Sequence, residues 1–372
     1  MEWRLINQEG VSDSFGLASD ETAALRVGKG ESPPTLRLYT YESHSALVGR
    51  FQTIQNELNI GFCSENGIRI NRRPTGGGAI IMGENQMGVA LTLKGSKNDS
   101  YYKARNIMEK FSQGITFTLK SLGIESSFRG KNDIEVDGRK IAGLGLHRTS
   151  TGGILFHASI LVDLDIELML NVLKTPFKNL NEKTVRMVSG RVTTLRKLLS
   201  NDISVNEFSS NLAKGFSAVF GVALVDDEYA DEELRAAAKL ESEKYLNSEW
   251  VYQKSKSNES DGTAKLKTNG GFIEVSVELS GRTIKKAHIG GDFYAAEQAL
   301  ADLEQSLYWH SADEKKIHNT LSRVFSERTD ELSMISSSEI IAAVQKAVKN
   351  ASQKSVETSD PYGCFVTPDA HV

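Results

Sequence analysis

The string Asn71-Arg72-Arg73-Pro74-Thr75-Gly76-Gly77-Gly78-Ala79-Ile80 combines three adjacent glycines with two arginines. Glycines let the backbone approach a ligand closely and turn several N–H groups toward one anion. The arginines add charge that pairs with phosphate or carboxylate. The same residues also read as a tight turn between two strands with Arg72 and Arg73 merely solvated, and a glycine run alone does not decide between the two. A second string runs Gly130-Lys131-Asn132-Asp133-Ile134-Glu135-Val136-Asp137-Gly138-Arg139-Lys140-Ile141-Ala142-Gly143. It puts Lys140 just after an Asp-Gly turn, at the start of an apolar strand. A lysine there is held more rigidly than one on a loop, and its ammonium can neutralise charge developing on an acyl phosphate. Taken by itself, Lys140 reads more simply as an ordinary exposed strand lysine.

Both strings need elements to hold them. Residues 36–41 and 68–72 are β-compatible runs, and 79–82 with 89–93 follow the glycine stretch. The spacing of Ala104, Ile107, Met108, Phe111, Ile115, Leu119 and Leu122 predicts a helix over about 102–122, with Gly123 as its C-cap. Residues 134–141 are two short runs joined through Asp137-Gly138, a pair that tolerates the positive φ of a hairpin turn. A further turn at 149–153 leads into a buried strand over 154–162, and helices are expected at 166–173, 205–220 and 232–245. A mixed sheet flanked by helices fits this order.

Residues 255–268 are polar and without period, and read as a linker or loop. Beyond them Ile273, Val275, Val277 and Leu279 alternate, Gly281 turns the chain, and 284–289 can pair back. Helices at 295–308, 314–325 and 339–348 complete a small α+β unit, with Ser336 and Glu339 at capping-box spacing. The expected fold class is therefore α/β of the α+β type. A large domain covers 1–254, a linker 255–268, a smaller domain 269–350, and a mobile Ser-rich tail 351–372.

Composition narrows the function classes. The chain has 372 residues, 39% hydrophobic and 25% charged, as ordinary globular proteins do. A formal net charge of −4 argues against a broad nucleic-acid surface. No 18-residue apolar run is present to span a membrane, and residues 1–10 lack a signal-type apolar stretch. Two cysteines, Cys63 and Cys364, cannot build a disulfide framework or a Cys-rich zinc site, and the histidines are scattered. A reduced, cytoplasmic compartment is the expectation.

Taken together and in this order, the strings resemble the lipoate–protein ligase family. Its pattern is Arg-Arg, two variable residues and Gly-Gly-Gly-Ala, then Asn-Asp, then Gly-Arg-Lys-(Ile/Val)-(Ser/Ala)-Gly. Here Arg72 to Ala79, Asn132-Asp133, and Gly138 to Gly143 stand in those places. Leu47-Val48-Gly49-Arg50-Phe51-Gln52, Phe156-His157-Ala158-Ser159-Ile160-Leu161 and Arg191-Val192-Thr193-Thr194-Leu195 are similar to the family's flanks. Residues 271–293, ending Ile289-Gly290-Gly291-Asp292-Phe293, are similar to the small C-terminal domain that many of these ligases carry.

The resemblance implies a biotin/lipoate ligase-like fold and a two-step reaction. Lipoate attacks the α-phosphate of ATP to give lipoyl-adenylate. A lysine of an acceptor lipoyl domain, on a 2-oxoacid dehydrogenase subunit or a glycine cleavage carrier, then takes the acyl group. It implies that Lys140 is catalytic, bridging the lipoyl carbonyl and the adenylate phosphate. Arg73, Gly76, Gly77, Gly78, Ala79, Ile80 and Ile81, with Asn132, Asp133 and Lys140, are implied to bind ATP or the adenylate. Asp133 is further implied as a ligand for Mg²⁺, which takes hard oxygen donors.

Two departures stand out. Met82-Gly83 occupies the place of a common His-Asp pair, and Trp250-Val251-Tyr252-Gln253 keeps only part of a Trp-Asn-Tyr-Gly stretch. His157 reads as a structural strand histidine with one satisfied hydrogen bond. Among rivals, an octanoyl or lipoyl transferase of the same fold needs a cysteine nucleophile. The places where relatives put it, here 130–139 just before Lys140 or 163–178, hold none, and Cys63, before the glycine loop, reads as a small buried residue. A biotin ligase usually shows a Gly-Arg-Gly-Arg loop, which is absent. A silent relative that only binds lipoyl domains sits poorly with an intact Lys140 and Arg73.

Overall fold

A computed structural model of the chain describes residues 1–96, 103–174, 181–199, 203–253, 260–268, 270–332 and 335–358. It forms two compact units, Met1–Gln253 with Asp292–Tyr294, and Lys254–Gly291 with Ala295–Val372. Strands of the first unit, in chain order, are β1 (Glu2–Val11), β2 (Thr35–Tyr41), β3 (Ser45–Val48), β4 (Arg69–Arg72), β5 (Ile80–Met82) and β6 (Gln86–Lys94). After them come β7 (Ser127–Arg129), β8 (Asp133–Val136), β9 (Arg139–Arg148), β10 (Gly153–Leu161) and β11 (Ala223–Asp226).

Eight of these make one sheet in the order β11-β1-β2-β6-β10-β9-β8-β7, and β4-β3-β5 make a smaller one. β1 is parallel to both its neighbours, and the remaining pairs of the large sheet are antiparallel. Every residue of β2 is buried, as a strand covered on both faces requires. Adjacent residues of a strand face opposite sides, and β10 uses this. Leu155 packs in a cluster with Leu17 and Ala24 of helix Asp13–Lys29. Phe156 meets the edge of Phe111, 5.7 Å away on helix Ala104–Ser121. Helix Val205–Phe220 packs on that second helix, where Gly114 leaves room for the Phe216 ring.

Several expected elements are present within a residue or two, including helix Ala104–Ser121 with Gly123 at φ 80° after its last turn; Tyr102 lies outside the described residues. The expected helix over 232–245 is α-helical over Asp231–Leu240 and closes with a π-turn over Glu241–Tyr245. Helix Asp13–Lys29 has no expectation behind it, and the reason is physical. It buries Asp13, Asp20 and Glu21 beside its apolar residues, so the helical apolar period is lost. Each carboxylate has a partner: Arg69 for Asp13 at 2.6 Å, Arg37 for Asp20 at 2.8 Å and Lys244 for Glu21 at 2.7 Å.

The second unit holds β12 (Gly262–Thr268), β13 (Gly271–Ser280), β14 (Thr283–Gly291) and β15 (His310–Ser311), an antiparallel sheet in that order. Helices Glu297–Ser306, Glu314–Glu327 and Ser337–Thr358 accompany it. Ser336 and Glu339 form the reciprocal capping pair, with N···O distances of 3.0 and 3.2 Å. Two expectations need correction. Residues 262–268 of the supposed linker are the edge strand β12, in which Ala264 is buried while Thr263 and Lys265 face out. Lysines on an edge discourage pairing with other chains, which is why the segment looks like a loop in sequence. Residues 254–259 lie outside the described set. The supposed tail is helical through Thr358, and 359–372 lie outside the described residues. The chain is thus a mixed α/β protein with a large sheet flanked by helices and a smaller α+β unit.

Candidate active site

β4 ends at Arg72, and the glycine loop carries the chain from there to β5. The two arginines diverge. Arg72 is fully buried and donates to the carbonyls of Gly49, Arg50, Gln52, Trp250 and Val251 at 2.7–3.2 Å. Burial, with the Arg50 and Arg73 charges, pulls its guanidinium down to about 9, still protonated at neutral pH. It does not reach the cavity described below, so its expected pairing with a bound anion is corrected. The side chain instead ties together three pieces of backbone. Arg73 points the other way and folds the glycine loop around itself, donating to the carbonyls of Leu47 at 2.9 Å, Gly76 at 3.3 Å and Gly78 at 2.9 Å. Burial lowers its guanidinium from the ordinary value as well.

Gly76 and Gly77 pack against the first unit's segment Asp292–Tyr294. A Cβ on Gly76 would lie 2.1 Å from the Phe293 carbonyl oxygen, and one on Gly77, at φ 97°, would lie 2.9 Å from the Tyr294 hydroxyl. Phe293 in turn stacks on Phe51 with ring centroids 5.2 Å apart.

Lys140 is fixed by three features. Asp137 at φ 50° and Gly138 at φ 73° make the tight turn that the Asp-Gly pair favours. A bulge follows: Ile134 faces Ala142 but Glu135 faces Lys140, so Ile141 is the extra residue on β9. Bulges re-aim side chains beside functional sites. Segment 191–193 then holds the strand's other edge, with Lys140 N–H donating to Arg191 O and Thr193 N–H to Lys140 O, both at 2.9 Å. The ammonium rests 2.7 Å from Asp133 Oδ1, both side chains being about one-third exposed at 35% and 31%. Gly143 leaves the space it occupies, because a Cβ there would be 3.1 Å from Lys140 Nζ.

These parts face one cavity of about 440 Å³. Of the expected site residues, Arg73, Gly78, Ala79, Ile80, Ile81, Asn132, Asp133 and Lys140 line it, while Gly76 and Gly77 do not. Leu17, Leu47, Leu161, Leu164 and Met169 supply an apolar portion, and Met82 lies in the wall as well. Such a space suits a small acid with an aliphatic chain and a charged head. His157 is buried in the lining with Nε2 2.9 Å from Asp20 Oδ2. Burial alone would raise the Asp20 carboxyl, but Arg37 and His157 outweigh it and hold it below its ordinary range. That matches the structural reading of His157.

Lys131, Asp292 and Tyr294, at the cavity's polar end, were not among the expected site residues, and they meet there beside Asn132. Asn132 Nδ2 donates to Leu144 O at 2.8 Å and to the Tyr294 hydroxyl at 3.0 Å, and Tyr294 donates to Leu144 O at 2.8 Å. Lys131 Nζ donates to the Asp292 main-chain carbonyl and lies 3.5 Å from Asp292 Oδ2. Lys131 sits in the motif string and Asp292 in the Gly-Gly-Asp-Phe stretch. Nothing local to either string signals that they meet. Cys63, on helix Ile60–Glu65, packs among Ile54, Leu58, Ile166 and Val172, and burial pushes its thiol up. It is not among the cavity-lining residues; Cys364 lies outside the described residues.

Residues 13–217 match the family described as lipoyl protein ligase A/B catalytic domain, and the chain belongs to that family. Among relatives, an octanoyltransferase LipM of Kyrpidia tusciae is 30% identical over 280 residues, covering 68% of this chain and 99% of the relative. The lipoate-protein ligase LplJ of Bacillus subtilis is 25% identical, covering 77% of this chain and 84% of its own.

Solved structures agree on the fold. A bipartite lipoate protein ligase, studied with its E2 lipoyl domain from Thermoplasma acidophilum, superposes with a TM-score of 0.60 at 26% identity, covering 68% of this chain and 96% of that one. Lipoate-protein ligase A bound with ATP gives 0.59 at 26%, covering 68% and 99%. A T. acidophilum structure with bound lipoic acid gives 0.58 at 25%, covering 68% and 100%. The chain is an enzyme of the lipoate ligase and octanoyltransferase family. Among the described residues no helix is long and apolar enough to cross a membrane.

Proposed function

We propose that the chain is an ATP-dependent lipoate–protein ligase of the cytoplasm. It activates lipoate to lipoyl-adenylate and passes the lipoyl group to a lysine of an acceptor lipoyl domain, such as that of a 2-oxoacid dehydrogenase subunit or a glycine cleavage carrier. The observation that carries this reading over octanoyl transfer is that no cysteine is among the described residues lining the cavity. Transfer through a thioester needs a thiolate facing the substrate. The cavity lining contains Lys131, Lys140 and Arg73 and, among the described residues, no cysteine. The LipM relative favours the transferase and the LplJ relative the ligase, and the cysteine-free lining supports the ligase.

In this reading the apolar portion takes the lipoate tail and the polar end takes the nucleotide, in keeping with the lipoic acid and ATP bound in the two related structures. Lys140 bridges the attacking carboxylate and the α-phosphate, where a preorganised cation stabilises the charge that develops. Arg73 acts through the loop it folds, so that Gly78, Ala79, Ile80 and Ile81 present main chain to the adenylate, while Gly76 and Gly77 shape the loop from outside the lining. Asn132 keeps its segment rigid beside the phosphate. Mg²⁺ typically keeps waters and sits on substrate phosphates with one or two carboxylates. Asp133, already paired with Lys140, fits as one such ligand, and no group of three His, Cys, Asp or Glu among the described residues forms a cage. When bound, the ion supplies charge neutralisation on the phosphates.

The test is intact-mass analysis of an E2 lipoyl domain after incubation with the full chain, ATP, Mg²⁺ and lipoate. A lipoyl mass gain that requires ATP is expected. A gain from an octanoyl-loaded carrier without ATP would overturn the reading.

A further inference from the structure

Among the described cavity-lining residues, Arg73, Lys131 and Lys140 are the basic arginine and lysine side chains. They are held differently. Arg73 directs its donors to the carbonyls of Leu47 in β3 and of Gly76 and Gly78 in the loop. Lys140 has a close carboxylate at 2.7 Å. Lys131, with its side chain 16% exposed, rests on a main-chain carbonyl of Asp292 and has that residue's carboxylate only at 3.5 Å. An ammonium has three donors, and a carboxylate at that distance is a loose partner. Burial lowers the Lys131 ammonium from its ordinary value and Asp292 opposes this. Asn132, pinned by Leu144 and Tyr294, fixes the backbone between Lys131 and Asp133.

The activation step asks for a second cation. An oxygen of the lipoate carboxylate attacks the α-phosphorus of ATP. The bond from that phosphorus to the α,β-bridging oxygen breaks, and its electron pair leaves with pyrophosphate; no proton need move. Lys140 stays with the acyl–phosphate link, so the charge growing on the leaving group needs another donor. We propose that Lys131 is this group, a catalytic cation that holds the departing pyrophosphate, with Asp292 as the positioning residue that keeps it at the cavity until ATP arrives. The inference rests on the ligase reading above.

The test compares the full chain with Lys131→Met, Lys131→Arg and Asp292→Asn in lipoate-dependent ATP–pyrophosphate exchange. Calorimetric binding of preformed lipoyl-adenylate is measured beside it. Lys131→Met should lose exchange by roughly a hundredfold or more. Its adenylate affinity should stay within about threefold, because the adenylate has no β- and γ-phosphates. Lys131→Arg should recover most of the exchange. Asp292→Asn, which keeps the carbonyl, should change KM for ATP more than kcat. Wild-type exchange in Lys131→Met overturns the assignment, and so does a loss of adenylate binding in proportion to exchange, since that indicates a structural lysine. Absence of exchange in the wild-type chain would overturn the ligase reading and this inference together, whereas exchange in wild type and Lys131→Met alike overturns this inference alone.

Discussion

The cavity's two polar walls use positive charge in opposite ways. On the glycine-loop side, Arg73 in the wall and Arg72 behind it direct their donors to main-chain carbonyls: five acceptors for Arg72, and those of Leu47, Gly76 and Gly78 for Arg73. On the hairpin wall, Lys140 sits against the Asp133 carboxylate, and Lys131 donates to the Asp292 main-chain carbonyl with that residue's carboxylate 3.5 Å away. A guanidinium with its planar fork suits several fixed acceptors at once, while an ammonium on a flexible stem can change partners. The difference teaches that charge near a ligand site is not by itself a ligand contact. The arginines build the wall, and the proposed chemistry falls to the lysines.

If that division holds, the largest effect on activity comes from the hairpin. Lys140→Ala should reduce both lipoate-dependent pyrophosphate exchange and transfer by about a hundredfold or more with little change in Tm. Near-normal exchange in the folded variant would break the comparison. Arg72→Met should do the reverse in kind. It leaves five carbonyls without their donor in a buried place, which costs at least about 3 kcal/mol of stability. Denaturant unfolding of the first unit would reveal it, and Arg72→Lys should rescue little. An Arg72→Met protein of normal stability but no activity would move Arg72 to the working side.

A buried pair away from the cavity sharpens the contrast by pH. Arg4 holds Glu233 through both carboxylate oxygens, at 2.6 and 2.7 Å, with Ser32 and the Ala230 N–H also donating. Burial alone would raise the Glu233 carboxyl, but these donors outweigh it and hold it at about 2, against an ordinary 4.5. A depressed folded-state value means the stabilisation is complete above the unfolded value and is lost as pH falls through the folded one. The pair should therefore contribute about 3 kcal/mol near neutral pH, fading between about pH 4.5 and 2. Glu233→Gln should remove that part of the acid dependence and leave exchange unchanged. A variant with the wild-type acid profile would contradict it.

The sequence made some of this legible, and the pattern has causes. The hairpin and Lys140 could be read because Asp137-Gly138 turn chemistry is local. Helix Asp13–Lys29 could not, because its buried Asp13, Asp20 and Glu21 are matched to charges elsewhere in the chain. Arg72 and Arg73 are adjacent and chemically identical, yet neighbours along an extended chain face opposite sides. Sequence names the pair without saying which arginine reaches the cavity. The meeting of Asp292 and Tyr294 with Lys131 and Asn132 spans about 160 positions, and no local period encodes a contact of that range.

The central claim is that this site activates its substrate with ATP through cations and without an enzyme thiol. Lipoate-dependent ATP–pyrophosphate exchange in the full chain carrying Cys63→Ala and Cys364→Ser tests it most directly. The account predicts exchange within about threefold of wild type, since Cys63 is packed in an apolar cluster and is not itself among the cavity-lining residues. Loss of exchange in the folded double variant, together with an acyl-enzyme trapped on a cysteine of the wild-type chain, would contradict it.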